Sequence, residues 1–263
     1  MRAYLAYLRG AIQVGLVYRL GFLFIVVGNL VYIVIAYFLW RSIYSGQTTL
    51  HGLTFDQAFL YVALGGTVFI LLKTYADWDM AHHIREGTIS ILLTKPLDYQ
   101  FYTLFNSLGF QLTNLVGLTV PTLLMVVFVF PVRFTPGWGY LFFPVSLALA
   151  FVISFHFDYL VGLMGFYTES IWGIITTKDV LIAVLSGALL PLQFFPDAIR
   201  QVLAWLPFQA IYFTPLTMVT QPDQSVGTFL AMLGVQGFWL IVTFGLARLV
   251  YAQAIKVLRV AGG

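Results

Sequence analysis

Six long stretches of this sequence, residues 20–40, 57–74, 103–130, 140–166, 180–195 and 226–251, are almost free of charge, and nothing else constrains the fold as tightly. A membrane-crossing helix takes about 20 mostly apolar residues, and backbone in lipid must pair with itself, as helix or closed barrel. Composition agrees. The 263 residues are 60% hydrophobic and 9% charged, whereas a globular domain is roughly half apolar and about a quarter charged. Twenty-three charged side chains (13 Lys and Arg, 10 Asp and Glu) cannot cover a soluble protein of this size. The expected fold class is therefore an all-α membrane protein, a single transmembrane domain over residues 1–263 with six transmembrane helices.

The connections carry the remaining information. In residues 1–19, Leu5, Leu8, Ile12 and Leu16 recur at helical spacing while Arg2, Arg9 and Gln13 fall on another face, the pattern of an interfacial helix. Pro121 is expected to kink the third span. Residues 167–179 read as a short polar break before a fifth span at 180–195, which is short for a crossing. Pro191, Pro196, Pro207 and Pro215 then forbid one straight helix, so residues 191–215 are expected to form a broken outer re-entrant segment.

Basic residues mark the cytoplasmic side of a membrane protein. With six spans, Arg2, Arg9, Arg19, Lys73, Arg85, Lys95, Lys178, Arg248, Lys256 and Arg259 fall on the side of the termini, against Arg41, Arg133 and Arg200 on the other. Ten against three places both termini in the cytoplasm.

Residues 75–102 form the longest polar stretch. Trp78, Met80 and Ile84 alternate with Asp77, Asp79, His82, His83, Arg85 and Glu86. Gly87 is placed to end that helix, and Asp98 to cap the third span. An amphipathic helix held under two spans suits docking into a cytoplasmic partner, although a solvated connecting helix would look the same. Asp79, His83 and Glu86 also share a face at metal-ligand spacing, which leaves open a membrane-embedded metalloenzyme. Ionisable residues inside the membrane are functional candidates. His156, Asp158 and Glu169 qualify as pathway-lining groups, although Asp158, about 30 Å below Trp138 at ~1.5 Å per residue, falls near the inner interface.

No Gly-rich loop ending in Gly-Lys-Ser/Thr occurs, so nothing here cradles nucleotide phosphates. No nucleophile elbow or His-Glu-x-x-His pair occurs either. The absence of cysteine removes disulfide, iron–sulfur and thiolate-zinc chemistry. A net charge of +3 gives no reason to expect a nucleic-acid partner.

The run Ile84-Arg85-Glu86-Gly87-Thr88-Ile89-Ser90-Ile91-Leu92-Leu93-Thr94-Lys95-Pro96-Leu97-Asp98 resembles the segment between spans two and three of ABC-2-type exporter permeases. There a basic and acidic pair precedes Gly-Thr, an apolar run and a proline. Many members carry an acidic residue where this chain has Ser90. Leu185-Ser186-Gly187-Ala188-Leu189-Leu190-Pro191-Leu192, followed by Phe195-Pro196 and Leu206-Pro207-Phe208, resembles the fifth-span and re-entrant region of the same family. The resemblance implies a permease subunit of an ATP-driven exporter in the cell (inner) membrane. It implies a coupling helix carried by Arg85, Glu86, Gly87, Thr88, Lys95 and Pro96, and a re-entrant segment involving Ser186, Gly187, Pro191, Pro196 and Pro207. The implied partners are ABC ATPase subunits, which bind ATP and Mg, a second permease chain (identical or related) and membrane lipids. No catalytic residue or metal is expected in this chain. A transporter or channel without an ATPase is the alternative.

Overall fold

The computed structural model describes residues 1–17, 19–168 and 170–257, and the side chains of Arg19 and Leu20 are outside that description. Glu169, offered above as a pathway residue, lies outside it, as does Arg259.

Helix α1 (Arg2–Val17) is followed by α2 (Arg19–Ile43). Two two-residue strands, β1 (Thr49–Leu50) and β2 (Leu53–Thr54), pair antiparallel around His51 and Gly52, both at positive φ. Two such residues in a two-residue connection give a turn whose twist matches that of the strands. Then come α3 (Phe55–Leu72), α4 (Ala76–Arg85), α5 (Ile89–Leu93) and α6 (Tyr99–Asn114). A π-helical turn, Leu115–Thr119, joins α6 to α7 (Val120–Val129). Pro121 lacks an N–H and its ring crowds the preceding turn. The expected distortion is therefore present, as one widened turn. The rest of the chain is α8 (Gly139–Gly162), α9 (Trp172–Leu185), α10 (Asp197–Ala204), α11 (Phe213–Thr220) and α12 (Val226–Ala254).

Side-chain caps set several of these starts. Thr54 and Gln57 form a reciprocal capping box on α3, Asp98 accepts from Phe101 N–H as expected, and Ser225 accepts from Thr228 N–H.

Among the described residues, five helical runs are long and apolar enough to cross a membrane: Gly21–Ile43, Phe55–Arg85, Tyr99–Val129, Gly139–Phe166 and Val226–Val257. The second is broken at residues 73–75, so the crossing part is α3. α3 is the central helix, with 67% of its apolar stretch buried, against 17% for α2 and α12. The outer helices present Phe24, Phe128, Leu141, Ile241 and Leu249 outward, each more than 60% exposed. A soluble protein rarely exposes such a belt, and lipid accepts it.

The structure departs from the expected fifth span. Residues 172–179, read as part of a polar break, are helical, and α9 ends at Leu185 rather than continuing to 195. Fourteen residues rise about 21 Å at ~1.5 Å each, short of a hydrocarbon core of about 30 Å. The chain of prolines then forms short pieces: a 3₁₀ turn at Leu192–Phe194, α10, another at Pro207–Ala210, and α11. α10 lies mostly exposed, whereas α11 is buried against α3 and α8.

α1 also differs in detail. It packs along α6 through Tyr4, Leu8, Ala11 and Gly15, while Leu5 and Leu16 of the expected apolar face point outward. Small residues decide the contact. A Cβ on Gly109 would lie 2.5 Å from the Leu8 carbonyl, and one on Gly15 2.9 Å from Thr113 Oγ1. Close approach of small residues is how helices associate in lipid, where burial supplies no drive.

Candidate functional site

The centre of interest is the break between α3 and α4. Residues 73–75 are not helical, and Tyr75 takes a left-handed conformation, φ 56°. Such a conformation costs a non-glycine residue about 1–3 kcal/mol and persists only where its surroundings hold it. Here they do. Asp158 of α8 accepts from the Thr74 hydroxyl at 2.6 Å and from the Thr74 N–H at 3.2 Å. Ser154, one turn earlier on α8, donates to Leu72 O at 2.9 Å, and Gln111 of α6 donates to Lys73 O.

Around this break five charged side chains from four elements converge. Lys178 of α9 pairs with Asp77 in the first turn of α4 at 2.5 Å, with Asp158 of α8, and with its neighbour Asp179 at 3.0 Å. Asp179 in turn takes Lys73 on both oxygens, at 2.5 and 2.6 Å. The side chains of Asp77, Asp158 and Lys178 are 0%, 3% and 8% exposed. The second oxygen of Asp77 accepts from Trp78 N–H at 2.9 Å. Two ammonium groups therefore face three carboxylates in a closed network. Carboxylate oxygens of Asp77, Asp158 and Asp179 lie within 4.8 Å of one another, close enough to share a metal ion. The Lys178 ammonium already supplies the cation.

The segment that follows is shaped to lie under the bundle. Ala76, Asp77, Met80 and Ile89 are buried, and α4 rests on Gly162 of α8, where a Cβ would come within 3.1 Å of Met80. Gly87, φ 72°, ends α4 as expected, and the Thr88 hydroxyl donates to His83 O while that of Ser90 donates to Gly87 O. The outer face shows Trp78, His82, Arg85, Glu86 and Ile91. Lys95 donates to the Tyr7 hydroxyl at 3.1 Å, and the Tyr4 hydroxyl accepts from Asp98 N–H at 2.9 Å. Pro96 is exposed between them, and Arg248 of α12 pairs with Asp98. The turn into α6 is thus tied to both α1 and α12.

Of Asp79, His83 and Glu86, the last two are turned to separate partners. His82 Nε2 pairs with Glu86 at 3.1 Å, and His83 Nδ1 lies 3.5 Å from the Tyr99 hydroxyl. That arrangement disfavours a shared metal on α4. His156, 2% exposed, sits where α8 meets α12, with Nδ1 3.4 Å from the Thr243 hydroxyl and Phe244 edge-on to its ring.

At the other end of α9, Gly187 takes φ 80° and its carbonyl accepts from the Tyr61 hydroxyl of α3 at 2.9 Å. Ser186 O accepts from Phe213 N–H at 3.0 Å, and its hydroxyl from Ala188 N–H at 3.3 Å. Ser186 and Gly187 therefore join α9 to α3 and α11. Pro191 and Pro196 immediately precede the 3₁₀ turn and α10, and Pro207 opens the second 3₁₀ turn.

Sequence reasoning missed Asp77, Lys178 and Asp179 as members of one site. The available signal was a Lys-Asp pair at the mouth of an apolar run, with two further acids, Asp77 at the start of α4 and Asp158 near the end of α8.

A comparison with curated proteins finds no significant match. A family model described as ABC-2 family transporter protein matches residues 30–262, nearly the whole chain. Together with the apolar helices, that match makes this chain a multi-pass transmembrane transporter permease, a member of the ABC-2 family.

Proposed function

We propose that this permease is the membrane subunit of an ATP-driven exporter, energised by separate ATPase chains that bind ATP and Mg, and paired with a second permease chain. The observation that carries the reading is the α4–α5 unit. It hangs from a break in the central helix, buries one face beneath the bundle, and leaves Trp78, His82, Arg85, Glu86 and Ile91 outward as a docking face. An apolar pair flanked by charges suits a protein partner.

In this reading α9 and the pieces after it form the fifth of six crossings, with α11 re-entering the outer side of the bundle. Removing the buried Lys178 from the basic count leaves nine against three, still favouring cytoplasmic termini in the cell membrane. α1 lies in the inner interface. Nucleotide-driven closure of the ATPase pair pushes residues 75–102, and alternating access follows. His156 remains a pathway residue on this reading, whereas Asp158 belongs to the ion network. The few charges in the spans favour an apolar or amphipathic cargo.

The test is affinity purification of the chain in mild detergent, with protein identification and an ATPase assay. An ATPase should co-purify, and R85A/E86A should abolish its stimulation by the permease while the chain stays folded. A chain that comes down alone, or unchanged stimulation in the variant, refutes the reading.

A further inference from the structure

We propose that Lys178 is a positioning residue for coupling: it locks the first turn of α4 to α8 and α9, so that a displacement of the coupling segment moves both helices together. The proposal rests on the coupling role given above to residues 75–102.

Three observations carry it. First, α4 is severed from α3 at residues 73–75, so the covalent route from the segment into the bundle is a non-helical linker. Second, the groups that bridge this linker are charged, and three of them are almost wholly withdrawn from water: Lys178 holds Asp77 of α4 at 2.5 Å while also holding Asp158 of α8. Third, the same carboxylate of Asp158 receives the Thr74 hydroxyl, so the linker and the two helices converge on one point.

Such a network is a poor device for stability alone. Replacing a buried ion pair by apolar or neutral groups of similar volume is often neutral or stabilising, whereas ionic pairing fixes one geometry. A network of short charge-assisted bonds between rigid helices transmits displacement, and a narrow spread of distances across the joint is its physical signature. α9 also reaches Tyr61 of α3 and the N–H of Phe213 in α11 at its far end, through Gly187 and Ser186. A helix held at its middle by Lys178 and just past its C-terminal end by Ser186 and Gly187 conveys a push along the ~12 Å between them.

The chain contains no cysteine, so spin labels can be placed without background. Asp79→Cys on α4, outside the docking face, and Thr176→Cys on α9, both exposed, give a label pair across the joint. Their distance distribution is measured by pulsed electron resonance on the purified chain in lipid nanodiscs, and again with its co-purified ATPase and a non-hydrolysable ATP analogue. In the parent the distribution is expected to stay narrow in both conditions. In a neutral chain, Asp77→Asn with Asp158→Asn and Lys178→Met, the width should at least double while the melting temperature stays within a few degrees. The charge-swapped chain, Asp77→Lys with Lys178→Asp, should restore the narrow distribution. A neutral chain as narrow as the parent overturns the proposal, as does a swapped chain as broad as the neutral one. A neutral chain that fails to fold overturns it too, assigning the network to stability. Because the first measurement uses the permease alone, it decides the joint even if no ATPase co-purifies, an outcome that would refute only the exporter reading.

Discussion

Replacing Lys178 alone by Met is the sharpest perturbation of the bundle. The substitution keeps an unbranched side chain of similar length and removes one charge. It leaves Asp77 and Asp158, at 0% and 3% side-chain exposure, facing each other with no ammonium between them. Removing one partner of a buried ion pair costs about 3–5 kcal/mol, because the remaining charge stays desolvated. The lower end applies here, since Asp179 is 31% exposed and keeps Lys73. At about 2–4 °C per kcal/mol for a chain of roughly this size, a loss of ~3 kcal/mol lowers the melting temperature by about 6–12 °C. Thermal unfolding in a fixed detergent, followed by intrinsic tryptophan fluorescence, reads it. Acid should relieve the loss, because burial holds the Asp77 carboxyl above its usual range, and a proton there leaves the folded variant binding more protons than its unfolded chain. A variant that melts within about 2 °C of the parent at neutral pH would mean that these charges are not mutually buried, and the network argued above would fall.

Gly109→Leu should detach α1 from α6, since the first side-chain carbon already meets the Leu8 carbonyl at 2.5 Å and backbone cannot yield cheaply; overpacking of this kind costs about 1–3 kcal/mol, and faster proteolysis of residues 1–17 is the readout. Asn29 of α2 donates to Thr67 of α3 at 2.9 Å and to Thr122 of α7 at 3.3 Å. Interhelical polar bonds in membranes average about 0.6 kcal/mol and reach about 1.7, so Asn29→Leu should lower the melting temperature by only a few degrees, and a collapse of the fold would contradict this. Asp98→Ala removes both the cap on α6 and the pair with Arg248. A lost cap costs about 1 kcal/mol, and because the pair is about a third exposed it adds at most ~1 kcal/mol more; faster hydrogen exchange at the start of α6, read by mass spectrometry, checks it.

How far the sequence reaches is visible residue by residue. The apolar runs locate α2, α3, the α6–α7 pair, α8 and α12, because lipid imposes helix on any segment of that length and composition. Asp98 and Gly87 act at the positions that local chemistry assigns to them, a cap and a left-handed stop. The His51–Gly52 hairpin was not legible as such, since histidine has no strong turn preference and the pairings of Thr49 with Thr54 and Leu50 with Leu53, with the Tyr44 hydroxyl on Leu53 O, hold it there. The packing face of α1 was misjudged because hydrophobicity does not select contacts in lipid, where the small residues Ala11 and Gly15 let α6 come close.

What the sequence alone determined is a multi-pass helical permease with one polar unit between its second and third spans. The tertiary structure decided where α9 begins and what its charges do. Lys178 and Asp77 are 101 residues apart, and each reads by itself as a group bound for water. A charge escapes that expectation only when an opposite charge meets it in place, at a distance that offsets the lost hydration. That meeting is a property of four elements packed around one broken helix, and no local pattern contains it.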